Sequence, residues 1–257
     1  MQDRKSPSLI ARPPQNFAAL LAGDEPLFLV GGQAVNLWAL YYNRRTAELS
    51  PFVSRDIDVL GDRNTLYRIA KSACVEPQFF PMRPPSNEIG AIIARSADGQ
   101  PLVVQVLTSM HGVSNEVLRN PEYTIGIGDG EILVRVPGPI ALLRAKIANV
   151  ADIPQSGRQD ERHVRILAKL MPAYLADIHA SVTADRISER DMIDLLERLL
   201  TAVTSRKAIR VMKDLGVCRM TMFSELKPEP SSKLHTFMNK RLARALQEYA
   251  GKNIVKS

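Results

Sequence analysis

The sequence predicts an α/β (α+β) fold: a mixed, twisted sheet with flanking helices over residues 1–137, followed by a helical C-terminal domain with a basic tail over 138–257. Three observations predict it. Near the amino end an apolar run enters a Gly-Gly pair and leaves as a helix-periodic stretch, "PLFLVGGQAVNLWALYYN" (26–43). Further on, β-branched runs come in pairs joined by glycine turns. After "VPGP" (136–139) the β signals vanish, and nearly every segment has helical periodicity.

In chain order, residues 14–23 read as a short amphipathic helix closed by Gly23. "PLFLVGG" is a compact buried strand running into two glycines, and the helix follows. A polar stretch, 43–54, leads to the strand "DIDVL" (56–60). "RNTLYRIAKSACV" (63–75) sets Leu66, Ile69, Ala70 and Ala73 on one helical stripe. A proline-rich loop, "PMRPPSN", precedes "IGAIIAR" and "PLVVQVL", which join across Asp98-Gly99 as a hairpin. "EYTIGI" and "EILVRV" form a second hairpin around Gly128-Asp129-Gly130. Helices are expected at 139–150, 158–170, 188–203 and 205–215, and "LHTFMNKRLARALQEYA" (234–250) reads as one basic amphipathic helix. There is no internal repeat.

Composition sets broad limits. With 257 residues, 45% hydrophobic and 24% charged, the chain has ordinary globular make-up and length enough for a substantial core. Two cysteines, Cys74 and Cys218, without CxxC or a His/Cys cluster, argue against a disulfide framework or a zinc site and fit a reducing compartment. The amino terminus lacks the apolar core of a signal peptide, and no run approaches 18 apolar residues, so a cytoplasmic protein without a membrane span is expected. The net charge of +7, with a further local excess of +5 from Lys227 to Ser257, suggests a polyanionic partner such as nucleic acid or a nucleotide polyphosphate.

The most informative stretch is "VSRDIDVLG" (53–61). In a strand, alternation sends Asp56 and Asp58 to one side and Ile57 and Val59 to the other. Two ionised carboxylates about 4 Å apart repel by roughly 4 kcal/mol at an effective dielectric near 20, so a cation is expected between them. Upstream, glycines at 31 and 32 let the backbone approach an anion, and the helix they open offers unpaired N–H groups at its positive end. Taken singly, each feature has an ordinary explanation: a tight turn and a solvated strand face.

In this order, "LVGGQAVN" and "SRDIDVL" resemble the nucleotidyltransferase superfamily with the polymerase-β-like fold, in particular its bacterial minimal, AbiEii-like toxin-type branch. The resemblance covers roughly residues 27–165. It implies that Asp56 and Asp58 hold Mg²⁺ or Mn²⁺ against the triphosphate of an NTP, that Gly31 and Gly32 cradle phosphates, and that Ser54 helps to position substrate; the alternative for Ser54 is a hydrogen bond that starts the strand. "PIALLRAKIAN" and "GRQDERHVRIL" look like the segment after the core in this branch. By that likeness Lys146 faces phosphate and Arg158 and Asp160 lie near the site; the alternative is a solvent-facing lysine and a surface ion pair. The branch also implies an antitoxin protein as a possible partner.

One position departs from the family. A third carboxylate, which takes the proton of the attacking hydroxyl, is expected on "LVVQVL", where this chain has Gln105. An amide ligates a hard cation through its oxygen but is no base near neutral pH. With the turn at Asp98-Gly99, Glu88 falls opposite Ser109, about 13 Å along the strand from the partner of Gln105, too far to substitute without a bulge. Alternation places Gln105 on the face of Asp56 and Asp58, with Val104 and Val106 facing the core.

Other candidates are weaker. His111, His163, His179 and His235 have no metal-binding spacing, and "TIGIGDG" lacks the Lys of a phosphate loop. "VGGQAVN" lacks the third dinucleotide-fold glycine, and no crossover to a parallel strand is legible. The leading expectation is metal-dependent transfer of NMP from an NTP to a hydroxyl acceptor, which is RNA, protein or a small molecule. The competing one is a degenerate protein that binds nucleotide or RNA without chemistry.

Overall fold

The computed structural model describes residues 9–81, 87–128, 130–227, 229 and 232–246. It is a mixed α/β architecture that divides into two compact units, one of residues 1–41 and 48–142, the other of residues 42–47 and 143–257.

The first unit begins with a 3₁₀ turn, Pro14–Phe17, and a single helical turn, α1 (Ala18–Leu21), in place of one continuous helix. Strand β1 is short (Leu29–Val30), and α2 (Gly31–Tyr41) starts on the first glycine itself. A short helix that belongs to the second unit, α3 (Asn43–Thr46), precedes β2 (Asp56–Leu60) in the chain. Next come α4 (Arg63–Ser72), β3 (Gln78–Phe79), β4 (Glu88–Arg95) and β5 (Pro101–Leu107). These strands form one five-stranded sheet in the order β1-β2-β5-β4-β3. Pairing is antiparallel except between β2 and β5, which run parallel. That crossover corrects the expectation of none. The chain passes through α4 and two more strands before returning beside β2, so no local βαβ pattern marks it.

Alternation explains the burial of β2 and β5. Ile57, Val59, Val104 and Val106 are fully buried, while Asp56, Asp58 and Gln105 are half-buried. The helix after β2 is set by a capping box: Thr65 N–H donates to Asp62 Oδ1 at 2.8 Å, and Asp62 N–H donates to the Thr65 hydroxyl at 3.3 Å. The Thr65 N–H and the Thr65 hydroxyl, which donates to the same oxygen at 2.9 Å, hold the Asp62 carboxyl below its usual range. Its apolar stripe packs against β4, where a Cβ on Gly90 would stand 2.8 Å from Leu66 Cδ2 and 2.2 Å from the carbonyl oxygen of Gln78. A short helix, α5 (Asn115–Leu118), leads to the separate hairpin β6 (Glu122–Ile127) and β7 (Ile132–Pro137). Trp38 ties α2 to it: Nε1 donates to the Pro137 carbonyl at 2.9 Å, and its ring meets Tyr123 edge to face. The turn residue Asp129 and residues 82–86 of the proline-rich loop lie outside the described residues.

The second unit is helical. The division falls within α6 (Pro139–Asp152). Then come α7 (Asp160–Thr183), α8 (Glu189–Thr204) and α9 (Arg206–Asp214), with Ser188 and Ser205 capping the last two. The sequence reading stopped at residue 170, before Pro172, but α7 runs 24 residues through that proline. Pro172 removes one N–H, while Leu170, Met171, Tyr174 and Leu175 are buried around it and hold the helix together. Residues 42–47 belong here because the Tyr42 hydroxyl donates to Asp177 Oδ2 at 2.9 Å and Arg45 pairs with Glu225 at 2.8 Å. In the tail, α10 (Lys233–Phe237) passes through a π turn, Met238–Leu242, into a last helical stretch to 246. The end of the expected 234–250 helix lies outside the described residues. Among the described residues no helix is long and apolar enough to cross a membrane.

Candidate active site

β2 has β1 on one side and β5 on the other, and its two carboxylates are positioned by both. The register pairs Asp56 with Val103 and Asp58 with Gln105, so Gln105 stands beside Asp58 on the same face of the sheet. On the other flank Val30, the residue before the glycines, pairs with Asp58. The chain therefore turns into α2 directly over the second aspartate.

Gly31 shows how close that approach is. Its φ is +66°, and a Cβ there would lie 1.8 Å from Asp58 Oδ2. A side chain there would force the Asp58 carboxylate to shift, and the positive φ strains any residue but glycine. Asp58 thereby sits against the first residue of an 11-residue helix, at the positive end of its dipole, and Gly31 and Gly32 are themselves buried there. Gly31→Ala is expected to lower stability by roughly 2–4 kcal/mol, combining a left-handed alanine with an overlap that displaces Asp58. Urea unfolding checks this, and an unchanged midpoint would show that Asp58 leaves its position at no cost.

Asp56 is held from the amino side of the strand. The Ser54 hydroxyl donates to Asp56 Oδ1 at 3.2 Å, and the Ser54 backbone exchanges two hydrogen bonds with Arg12 at 2.8 and 2.9 Å. Gln33, on the second residue after Gly31, donates from Nε2 to the Arg12 carbonyl at 2.9 Å and accepts from Asn36 Nδ2 at 3.0 Å. The Arg12 guanidinium reaches Asp98, in the β4–β5 turn, at 2.6 Å. The Ser96 hydroxyl and Arg12 hold the Asp98 carboxyl down to about 2. Sequence reasoning missed this support. Its one legible sign was two polar residues, Gln33 and Asn36, in the otherwise apolar start of α2, where both are fully buried.

Glu88 is closer to Gln105 than the sequence implied. A register shift between Glu88 and Gly90 pairs Glu88 with Leu107 and not Ser109, and the partner of Gln105 is Ala91. One strand across and two residues along, the Cα separation of Glu88 and Gln105 is roughly 8 Å. The bulge sets Glu88 against Leu107, a residue on the Gln105 face. Among the described residues no three His, Cys, Asp or Glu side chains stand close enough together to hold a metal ion.

Lys146, Arg158 and Asp160 lie in the helical unit and meet one another there. Lys146 Nζ donates to Asp160 Oδ1 at 2.7 Å, Arg158 Nε to Oδ2 at 2.7 Å, and Asn149 Nδ2 to Oδ1 at 3.2 Å. Lys146 is only 4% exposed, so it is not a solvent-facing lysine, and Asp160 is buried with it, while Arg158 reaches the same carboxylate from the surface. Burial by itself would raise the Asp160 carboxyl, but the charge of Lys146 and the three donors outweigh it and bring it to about 2. His163, one turn on, is buried with neither ring nitrogen partnered. Burial, reinforced by the charge of Lys146, keeps it neutral, well below the usual histidine range.

Compared by sequence with protein-family models and with curated proteins, the chain matches none.

Proposed function

We propose that this protein is a metal-dependent nucleotidyltransferase with a polymerase-β-like core, moving a nucleoside monophosphate from an NTP to a hydroxyl acceptor. The observation that carries the reading is the close fit of the Asp58 carboxylate to Gly31, with Asp56 and Gln105 on the same face. An ordinary solvated strand face needs no glycine packed against its carboxylate. Two carboxylates and an amide oxygen form an all-oxygen donor set, and Mg²⁺ is commonly held by one or two carboxylates together with substrate phosphates. Asp56 and Asp58 would hold it, and its charge would offset that developing on the transferred phosphoryl group.

The rest falls to groups of the chain. The Gly31-Gly32 start of α2 presents backbone N–H groups to the triphosphate. Ser54 orients Asp56 by its hydrogen bond. The acceptor oxygen forms a bond to the α-phosphorus as the bond to the bridging oxygen breaks and pyrophosphate leaves. Gln105 cannot take the acceptor's proton, which passes to water. Gln105 is also the observation favouring a second reading, a protein that binds nucleotide or RNA without turnover.

One experiment separates the two. Labelled NTPs, Mg²⁺ and candidate acceptors are incubated with the full chain, and pyrophosphate and labelled product are measured. Transfer supports the first reading; nucleotide binding by calorimetry without pyrophosphate supports the second. Neither binding nor transfer would sink both. Gln105→Asp, which adds a carboxylate beside Asp58, is expected to tighten Mn²⁺ binding about tenfold and to raise transfer. Unchanged Mn²⁺ affinity in that variant would remove Gln105 from the site.

A further inference from the structure

The charge of this chain is divided unevenly between its two units. Residues 42–47 and 143–257 carry 23 Lys and Arg against 13 Asp and Glu, a net of +10. Residues 1–41 and 48–142 carry 11 against 14, a net of −3. The whole excess behind the overall +7 therefore belongs to the helical unit. A uniform solubilising excess has no reason to segregate in this way.

Within that unit the cations are not scattered evenly either. On α7, Arg162, Arg165 and Lys169 fall at i, i+3 and i+7, within roughly 60° of arc and along about 10 Å of helix. Arg165 and Lys169 are exposed and Arg162 half-buried, while Val164, Ile166, Leu167 and Leu170 on the other side are fully buried. Half-burial even lowers the Arg162 guanidinium from its usual range, a sign that this cation is held partly desolvated in place. An exposed acid, Glu161, stands one turn before Arg165 beside this stripe, and α8 is more evenly mixed, with Arg190 and Arg198 among Asp191 and Asp194.

We propose that the α7 stripe of Arg162, Arg165 and Lys169 is a docking surface for the phosphate backbone of RNA. Three cations on one helix face match a phosphate strand and contribute a salt-sensitive attraction. An anionic membrane fits less well, because the apolar face of α7 is buried and has nothing to insert. A protein partner would need an apolar or aromatic anchor, and the stripe has none. RNA also carries a hydroxyl on every ribose, the group that the proposed transfer consumes. The docking surface stands on the charge distribution; the choice of RNA over DNA rests on the transferase reading.

The test is binding of a labelled, folded RNA by the full chain, without nucleotide, followed by fluorescence anisotropy at several salt concentrations. Arg165→Glu with Lys169→Glu, both exposed positions, is expected to weaken binding at least tenfold and to lessen the salt slope by about 2. Arg190→Glu, on the mixed face of α8, is expected to change affinity less than twofold. Thermal melts confirm that each variant is folded, and Arg165→Gln with Lys169→Gln provides a milder pair if the reversal unfolds the chain. Unchanged RNA affinity in the double variant, an equal loss in Arg190→Glu, equal affinity for DNA of the same length, or binding only to anionic vesicles would each overturn the proposal. If RNA binding follows the stripe while no transfer occurs, the surface holds and the transferase reading fails.

Discussion

Asp58→Asn is expected to cut nucleotidyl transfer about 100-fold or more while leaving the protein folded. The amide has the size of the carboxylate and fits the same space against Gly31, where Asp58 Oδ2 lies so near that a Cβ would reach within 1.8 Å. What it lacks is the negative charge that holds a hard divalent cation against a triphosphate. Losing one electrostatic group aimed at developing charge typically costs two to three orders of magnitude in rate. Asp56→Asn is expected to act in the same direction, and it retains an oxygen to accept the bond from Ser54. Pyrophosphate release and a thermal melt, measured on one preparation, check the claim. Full transfer by Asp58→Asn would remove this strand from the chemistry.

The second large effect is on stability. Asp160→Ala is expected to lower it by about 3–5 kcal/mol, because Lys146 would remain buried without its counter-charge. Replacing the lysine as well, as Lys146→Met with Asp160→Leu, is expected to recover most of that loss, since a buried ion pair and an apolar pair of similar volume are often comparable. Equilibrium urea unfolding of the two variants measures both. The pH dependence has a definite sign. The Asp160 carboxyl is held at about 2 against 3.8 when unperturbed, so its contribution is complete above 3.8 and is lost as pH falls from 3.8 toward 2. In Asp160→Ala that acid-sensitive portion is expected to vanish, and an unchanged acid limb would assign it to another group.

Much of the candidate site is legible in the sequence. Strand alternation places Asp56 and Asp58 together whatever the rest of the fold does, and the same rule puts Gln105 with its polar side away from Val104 and Val106. The glycines were legible as a place of close approach. What fills that place is Asp58, more than twenty residues later in the chain, and no local pattern links the two. Arg12 was invisible for the same reason. Its backbone joins Ser54 and Gln33, and its guanidinium reaches Asp98, three separate segments. Pro172 misled because a local penalty was read without the buried side chains that offset it.

The sequence by itself determined the longer helices and the paired strands, the α/β-to-helical change after "VPGP", and the shared face of the two aspartates. These follow from the periods of helix and strand, which are properties of neighbouring residues. Only tertiary structure decided the parallel pairing of β2 with β5, the register that sets Asp58 beside Gln105, the bulge that brings Glu88 to Leu107, and the burial of Lys146 with Asp160. Register, bulges and burial depend on which distant segments meet. A polar side chain at Gln105 or Lys146 has the same local pattern whether it meets solvent, a carboxylate or a neighbouring strand, and only the packed fold distinguishes those surroundings.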